Sequence, residues 1–320
     1  MKLFFTRENS TSLSDKDSKI LTAIKEYLLL VEGVKEVFKP HKADAIIIQE
    51  ENSFKNFSYI KNLDFDRLIS VYPEKVFTIN SDDCATGLLR GLYTSLPNYK
   101  YNPDIHAIVS YMHFPNEFVF AEHNDQQAPI YLAGWRGNTK SNSLRSKMAS
   151  LFEDRSDFCM EKTNSWLNHD EHEKKTFVNV ILSSKFSLCP AGWAPVSFRI
   201  YESMALGRCP VIIADHFVPP KGPDWNDFAL FYPEKDLTGL PSFLLQNEHL
   251  AKDLGENALE AWRKYYCADV IKQHYAHTLL SLIRQTPRTT KEAELKRWRS
   301  LNMYWKNKWT IPQRILNKIR

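Results

Sequence analysis

The sequence predicts an α/β protein built on two open parallel sheets, and three observations carry that prediction. In the first half, short apolar runs closed by polar residues alternate with helical stretches, as buried parallel strands and their crossovers do. In the second half, Lys185–Cys189 and Cys209–Ala214 are apolar runs bracketing a helical stretch, Ser197–Leu206, that ends at Gly207. A strand, helix, strand unit of that kind closes as a right-handed crossover, with glycine suited to the position after the helix. The polar segment Glu122-His123-Asn124-Asp125-Gln126-Gln127 separates the halves.

In chain order, Lys19–Val31 has helical periodicity, and Asp44–Glu50 reads as a buried strand with a polar exit. Lys75–Asn80 is a second strand, delivering Ser81, Asp82 and Asp83 at its carboxyl end. Thr86–Thr94 reads as a helix and Ile105–Val109 as a third strand. Past the polar segment come a strand at Ile130–Ala133, helices at Ser143–Phe152 and Lys174–Ser183, the crossover unit, and helices at Glu248–Tyr265 and Ala268–Arg284. The expected domains are 1–127, 128–286 and a basic, Trp-rich helical segment 287–320. From Arg288 onward ten basic residues face only Glu292 and Glu294, with Trp298, Tyr304, Trp305 and Trp309 interleaved. The preferred reading is that these aromatics pack back on the N-terminal domain; peripheral contact with an anionic membrane surface is the alternative.

At 320 residues the chain suits two ordinary domains, and 43% hydrophobic with 13% aromatic residues supports real cores. A net charge of +4 is too modest for a nucleic-acid footprint over the whole surface, so no nucleic acid is expected as partner. Five cysteines, odd in number and widely spaced, read as free thiols. The opening residues turn charged too soon for a signal peptide, and no run of about 18 apolar residues exists for a membrane span, so the expected location is cytoplasmic. Asp64-Phe65-Asp66 and Asp15-Lys16-Asp17 sit in polar, non-strand contexts, and His169-Asp170-Glu171-His172 reads as an exposed helix start. No catalytic metal is therefore expected.

The chemistry concentrates in the crossover helix. Its only charges, Arg199 and Glu202, lie three residues apart on one face. A cation in the first turn opposes the helix dipole unless an anion lies close, and the Ala191-Gly192-Trp193-Ala194-Pro195 loop ahead of it could offer backbone N–H groups to a diphosphate. From the pattern alone, mutual pairing on a solvated face explains the two charges equally well, since such pairs contribute about 0.2–0.5 kcal/mol and are common.

The ordered motifs Ser184-Lys185-Phe186-Ser187-Leu188-Cys189-Pro190-Ala191-Gly192, Ser197-Phe198-Arg199-Ile200-Tyr201-Glu202-Ser203, Gly207-Arg208-Cys209-Pro210-Val211-Ile212-Ile213-Ala214-Asp215 and Trp225-Asn226-Asp227-Phe228 resemble the signature of the exostosin-like glycosyltransferases, family 47. More weakly, Ile130–Arg136 with Arg145 resembles the family's upstream strand and arginine, while the rest of the N-terminal part matches loosely. The resemblance implies a GT-B fold, two Rossmann-like parallel-sheet domains facing across a cleft, with the donor held by the second. It assigns Arg199 and the Gly192 loop to a diphosphate and Glu202 to ribose hydroxyls, with Ser197 a further donor-binding residue; Arg136 and Arg145 are further diphosphate candidates. Trp135, Trp193 and Trp225 are candidates for stacking on base or sugar, Trp193 foremost among them, with burial in the core the competing reading.

The activity so implied is inverting, metal-independent transfer of a sugar from a nucleotide sugar, with UDP the expected nucleotide and no cofactor, to a glycan or glycolipid acceptor in surface polysaccharide or glycan synthesis. Inversion rests on the resemblance alone. The base is expected in the N-terminal domain at Asp82, with Asp83 beside it, past a strand's carboxyl end; a helix N-cap is the competing role for this pair. His113 and His123 are alternative bases. A retaining GT-B transferase, or a nonenzymatic sugar-nucleotide or glycan-binding subunit of a synthase, remain the rival readings. The family's departure here is the start of the chain, where its eukaryotic members resemble type II membrane proteins.

Overall fold

Ala45, Ile46, Ile47 and Ile48 are all fully buried, as a central strand covered by helices on both sheet faces must be. The computed structural model describes residues 1–7, 19–50, 66–83, 85–121, 128–164 and 170–307. They form two units: 1–112 with 218–221 and 268–320, and 113–217 with 222–267.

The first unit opens with β1 (Lys2–Arg7), α1 (Lys19–Leu29), β2 (Lys35–Glu36), β3 (Ala45–Glu50), β4 (Val76–Asn80), β5 (Arg90–Tyr93) and β6 (His106–Ile108). The sheet order is β2-β1-β3-β4-β5-β6, every pair parallel. Glu50 pairs in register with Asn80, so β3 and β4 finish level at the carboxyl edge.

The helix expected over Thr86–Thr94 is not there; its second half is β5, buried throughout. Pairing with Phe77–Asn80 overrides the helix-favouring leucines of TGLLRGLYT. Gly91 makes the strand feasible. Its φ is +148°, and a Cβ there would lie 2.0 Å from the Thr78 carbonyl oxygen, so only glycine lets the two backbones meet. Arg90 is buried with its guanidinium 4.7 Å from the Phe77 ring centroid and its Nη2 donating to the Pro73 carbonyl at 3.1 Å.

The second unit holds β7 (Tyr131–Asn138), α2 (Ser143–Phe152), β8 (Phe158–Thr163), α3 (Glu171–Leu182), β9 (Ser184–Pro190), α4 (Phe198–Ala205), β10 (Cys209–Ile213), β11 (Leu230–Phe231), α5 (Leu240–Gln246) and α6 (Ala251–Ala261). Its sheet runs β11-β10-β9-β7-β8, again all parallel. The β9-α4-β10 crossover stands where the sequence places it, and Gly207 ends α4 with φ +66°. Asn142 and Asp170 cap α2 and α3, accepting from Leu144 N at 3.0 Å and Glu173 N at 2.8 Å.

The chain then returns to the first unit with α7 (Ile271–Gln285), α8 (Lys291–Trp298) and α9 (Leu301–Asn307). Helix α7 packs on α1, β5 and β6, and the Tyr275 hydroxyl donates to the Ser110 carbonyl. Trp298 is buried in one core cluster with Phe4, Ile46, Ile48 and Val76. The boundaries at 127 and 286 therefore shift. Residues 113–121 go with the second unit because Val119 packs with Val178, Ile181 and Leu206 and Asn116 donates to the Lys174 carbonyl at 3.1 Å. Residues from 268 onward go with the first because α7 and Trp298 complete its core. Packing back thus describes Trp298, whereas Trp305 is 59% exposed and Trp309 lies outside the described residues. Cys159, Cys189, Cys209 and Cys267 are free thiols, Cys84 being outside the described residues. Among the described residues no helix is long and apolar enough to cross a membrane.

Candidate functional site

Helix α4 is short and almost wholly buried, so each of its polar groups must find a partner or face a ligand. Ser197 is its N-cap, extended at φ −143°, with Oγ accepting from Arg199 N at 3.4 Å. Ser203 Oγ bonds back to the Arg199 carbonyl at 2.6 Å and lies 2.7 Å from Ser187 Oγ on β9, which ties helix to sheet.

Arg199 is only 7% exposed. Its Nη2 donates to the Arg136 carbonyl, and its guanidinium lies 4.7 Å from the Phe177 ring centroid and 5.8 Å from that of Trp135. Gly137 keeps the space open, since a Cβ there would come within 3.2 Å of Arg199 Nη2. The other terminal nitrogen, Nη1, is buried with no hydrogen-bond partner. Glu202, one turn on, is 4% exposed. Burial lowers the arginine's pKa, against the attraction of Cys189 and Glu202. Burial raises that of Glu202 to about 7, more than the nearby Arg199 lowers it. Pairing on a solvated face is excluded, because neither group is solvated. A buried cation with an orphaned N–H costs on the order of 1–3 kcal/mol, which an anionic ligand would offset.

The loop before α4 is held by α2. Arg145 Nε donates to the Ala191 carbonyl at 3.1 Å and Nη2 to that of Pro190 at 3.3 Å, while Asn142 Nδ2 donates to the Gly192 carbonyl at 3.1 Å. A Cβ on Gly192 would meet Arg145 Nη2 at 2.7 Å, so this glycine lets the clamp close. Arg145 thus shapes the loop. The Ala191 and Gly192 N–H groups donate to the carbonyls of Ile213 and Ala194, both at 2.9 Å, and so are already engaged within the protein rather than offered to a diphosphate. Arg136 pairs with Glu161 and, at 3.2 Å, with Glu173, and serves Arg199 through its carbonyl. Trp193 is 47% exposed. Trp135 and Trp225 are buried, the latter among Tyr201, Phe228 and Tyr266, so core packing is their role. Asn142, Gly137 and Phe177 were not singled out from sequence. Asn142 was readable as an asparagine before a helix start, whereas Phe177 reaches Arg199 only through the fold.

In the first unit, Asp82 follows β4 at the carboxyl edge, as expected. Asn80 Oδ1 accepts from Asp82 N at 2.9 Å, and Asn80 Nδ2 donates to Glu50 Oε2 at 3.2 Å. Asp82 Oδ2 is enclosed without a hydrogen-bond partner, and burial, with Asp83 adding repulsion, raises the carboxyl pKa to about 6. Asp83 is exposed and accepts from the Tyr111 hydroxyl at 2.8 Å. With β5 in place of a helix, the N-cap role for this pair falls away. His113 is exposed and belongs to the second unit; His123, His169, Asp15, Asp17 and Asp64 lie outside the described residues. Asp66 is buried, its Oδ1 accepting from Leu68 N and Ile69 N at 2.8 Å. Among the described residues no group of three His, Cys, Asp or Glu side chains could hold a metal.

Two all-parallel, helix-wrapped sheets in one chain are the GT-B pattern, and the second carries a buried arginine with an orphaned donor at the start of its crossover helix. Comparison with known proteins narrows the class. Residues 96–247 match the Exostosin GT47 domain, so the chain carries an exostosin-like domain over that span. A probable glucuronoxylan glucuronosyltransferase of Arabidopsis thaliana is 48% identical over 73 residues, 22% of this chain and 16% of that protein. The exostosin-1 homolog of Caenorhabditis elegans is 28% identical over 120 residues, 36% of this chain and 31% of that protein. The chain thus spans less than a third of the length of these relatives. A crystal structure of a glycosyltransferase from Rickettsia africae ESF-5 aligns with a TM-score of 0.41 at 12% identity, covering 87% of this chain and 84% of that one.

Proposed function

We propose that this chain is a glycosyltransferase that moves a sugar from a UDP-linked donor to a hydroxyl of a glycan or glycolipid acceptor in polysaccharide synthesis, with inversion and without a catalytic metal. The observation that carries the reading is Arg199: a buried guanidinium with an unpartnered Nη1, at the start of a crossover helix and one turn from a buried Glu202. The names of its relatives, glucuronosyl- and xylosyltransferases, support sugar transfer as the reaction class.

In this reading the acceptor oxygen attacks the anomeric carbon, the bond from that carbon to the diphosphate breaks, and the acceptor proton passes to a base. Arg199 stabilises the charge that accumulates on the departing diphosphate, which is why no metal is needed for that task. Glu202 accepts hydrogen bonds from the ribose hydroxyls, and Ser197 and the Arg145-clamped loop fix the start of α4. Trp193 offers a stacking face. Asp82 is the proton acceptor: with its pKa raised to about 6 it is ionised at neutral pH yet basic enough to take a proton. One base and one displacement give inversion.

The test is nucleotide release from a panel of nucleotide sugars with oligosaccharide acceptors, with and without a chelator, followed by the anomeric configuration of the product. UDP release that survives chelation, is lost in Arg199→Ala and yields an inverted product is the expected result. A protein that binds no nucleoside diphosphate, or a retained configuration, overturns the reading.

A further inference from the structure

Two arginines adjoin in the second unit, and α3 treats them differently. Arg136 on β7 is held by carboxylates, Glu161 on β8 and, at 3.2 Å, Glu173 on α3. One turn further along α3, on the same face, stands Phe177, and its ring centroid lies 4.7 Å from the guanidinium carbon of Arg199. Arg199 closes no ion pair among the described residues, although it is buried. Burial, and more weakly the Arg136 charge, lower its pKa.

The side chain at 177 decides what Arg199 has left to offer a ligand. A carboxylate there would pair with the guanidinium and take its N–H groups. An aliphatic side chain would leave a desolvated cation against hydrocarbon with no compensating attraction. An aromatic face attracts the cation through its quadrupole and uses none of its hydrogens. Arg199 is therefore gripped by its face and by Nη2, which donates to the Arg136 carbonyl, while Nη1 keeps no protein partner. Phe177 is itself fixed, because it packs against the cluster of Val119, Val178, Ile181 and Leu206.

We infer that Phe177 is a positioning residue for Arg199: its ring holds the buried guanidinium in place with the charge undiminished, so that Nη1 is left for the phosphate oxygens of the donor. This rests on the reading of Arg199 as the diphosphate-binding group. Glu173 and Phe177 then divide one helix face, the first neutralising Arg136 and the second sparing Arg199.

The experiment is UDP affinity by calorimetry for the parent, Arg199→Ala, Phe177→Leu, Phe177→Met and Phe177→Tyr, with thermal unfolding of each without nucleotide. The leucine variant is expected to bind UDP about five- to thirtyfold more weakly than the parent, and the tyrosine variant, which keeps the aromatic face, to stay within about twofold of it. Methionine fills the space flexibly without an aromatic face, so Phe177→Met carries the same expectation as Phe177→Leu and serves if leucine does not fold. A merely structural role predicts the reverse ranking, because tyrosine adds a hydroxyl to a packed position whereas leucine and methionine keep it apolar. UDP binding that is lost in Arg199→Ala but parental in the leucine and methionine variants overturns this inference alone, as does a tyrosine variant weakened as much as they are. A parent that binds no UDP, or an Arg199→Ala variant that binds it as the parent does, overturns the reading of Arg199 and this inference with it.

Discussion

Arg199 and Glu202 stand three residues apart on α4, both withdrawn from water, and no ion pair closes between them. The helix thus keeps two charged groups at the expense of the unliganded fold. Glu202 makes that cost measurable, because its pKa in the fold, about 7, lies above the ordinary 4.5. Between these values the folded state holds the proton more tightly than the unfolded one. The stabilisation is complete below pH 4.5 and is lost as pH rises through 7, a swing of about 3 kcal/mol. Glu202→Gln, which mimics the protonated form, is expected to match the parent near pH 4.5 and to exceed it by up to that amount at pH 8. Thermal or urea unfolding without nucleotide at both pH values checks this; a gap that does not change with pH refutes it.

Arg199→Ala is expected to lower kcat/KM for the donor by about 100- to 1000-fold, the usual effect of removing a donor that stabilises developing negative charge. Arg199→Lys should rescue little, because an ammonium cannot hold the Arg136 carbonyl with one nitrogen and aim a second at a ligand. Steady-state UDP release together with UDP affinity by calorimetry gives both quantities. A lysine variant with parental kcat/KM contradicts the two-nitrogen role.

The crossover that carries the proposed donor site was largely legible in the sequence because its signal is local. Two charges in an otherwise apolar helix and a glycine at its end lie within a few residues of one another, and the structure puts them on one crossover, where Ser197 proves to be the helix cap. The partners that shape it come from elsewhere: Phe177 from α3, Arg136 and Trp135 from β7, Asn142 from the start of α2. No periodicity reports such contacts. The fold was legible where strands are continuous apolar runs, as at Ala45–Glu50, and illegible where tertiary pairing overrides propensity. Arg90–Tyr93 reads as part of a helix until Gly91 is seen against the Thr78 backbone, and Phe158–Thr163 is an edge strand of mixed polarity that gives no alternation.

For Asp82 the expected signature is in the pH profile. With a pKa of about 6 the carboxylate is ionised above that value and protonated below it, so kcat/KM should rise through about pH 6. Asp82→Asn should remove that limb and lower activity by roughly 100- to 10,000-fold. Because Glu202 titrates near 7, Glu202→Gln is the control, and it should leave the limb at 6 in place. Persistence of that limb in Asp82→Asn assigns the base elsewhere.

Gly91→Ala should be among the most damaging single substitutions in the first sheet. The Cβ would lie 2.0 Å from Thr78 O and 2.5 Å from Thr78 N, both backbone atoms that cannot move without parting β4 from β5. The expected cost exceeds about 3 kcal/mol, in the range reserved for substitutions that break backbone geometry. Gly33→Ala is the contrast: its φ is also positive, at +78°, but nothing lies within 4 Å of the added atom. Urea denaturation followed by circular dichroism should rank the two, and equal costs would place the penalty in φ rather than in the contact.

Trp298 tests where the last helices belong. It lies 171 or more residues past the polar segment that was expected to close the first domain at 127, yet it fills that unit's core beside Phe4, Ile46 and Ile48. Truncating a buried tryptophan to alanine removes its transfer energy and leaves a cavity, so Trp298→Ala should destabilise the first unit by about 3–5 kcal/mol. Trp305→Ala, at an exposed position in the next helix, should change stability by no more than about 0.5 kcal/mol. Donor nucleotide affinity should survive both substitutions wherever the protein remains folded, since Arg199 and Glu202 belong to the second unit. Unfolding by circular dichroism and UDP binding by calorimetry separate the two effects; a Trp298→Ala cost below about 1 kcal/mol would mean that the tryptophan covers the first unit's core without being part of it.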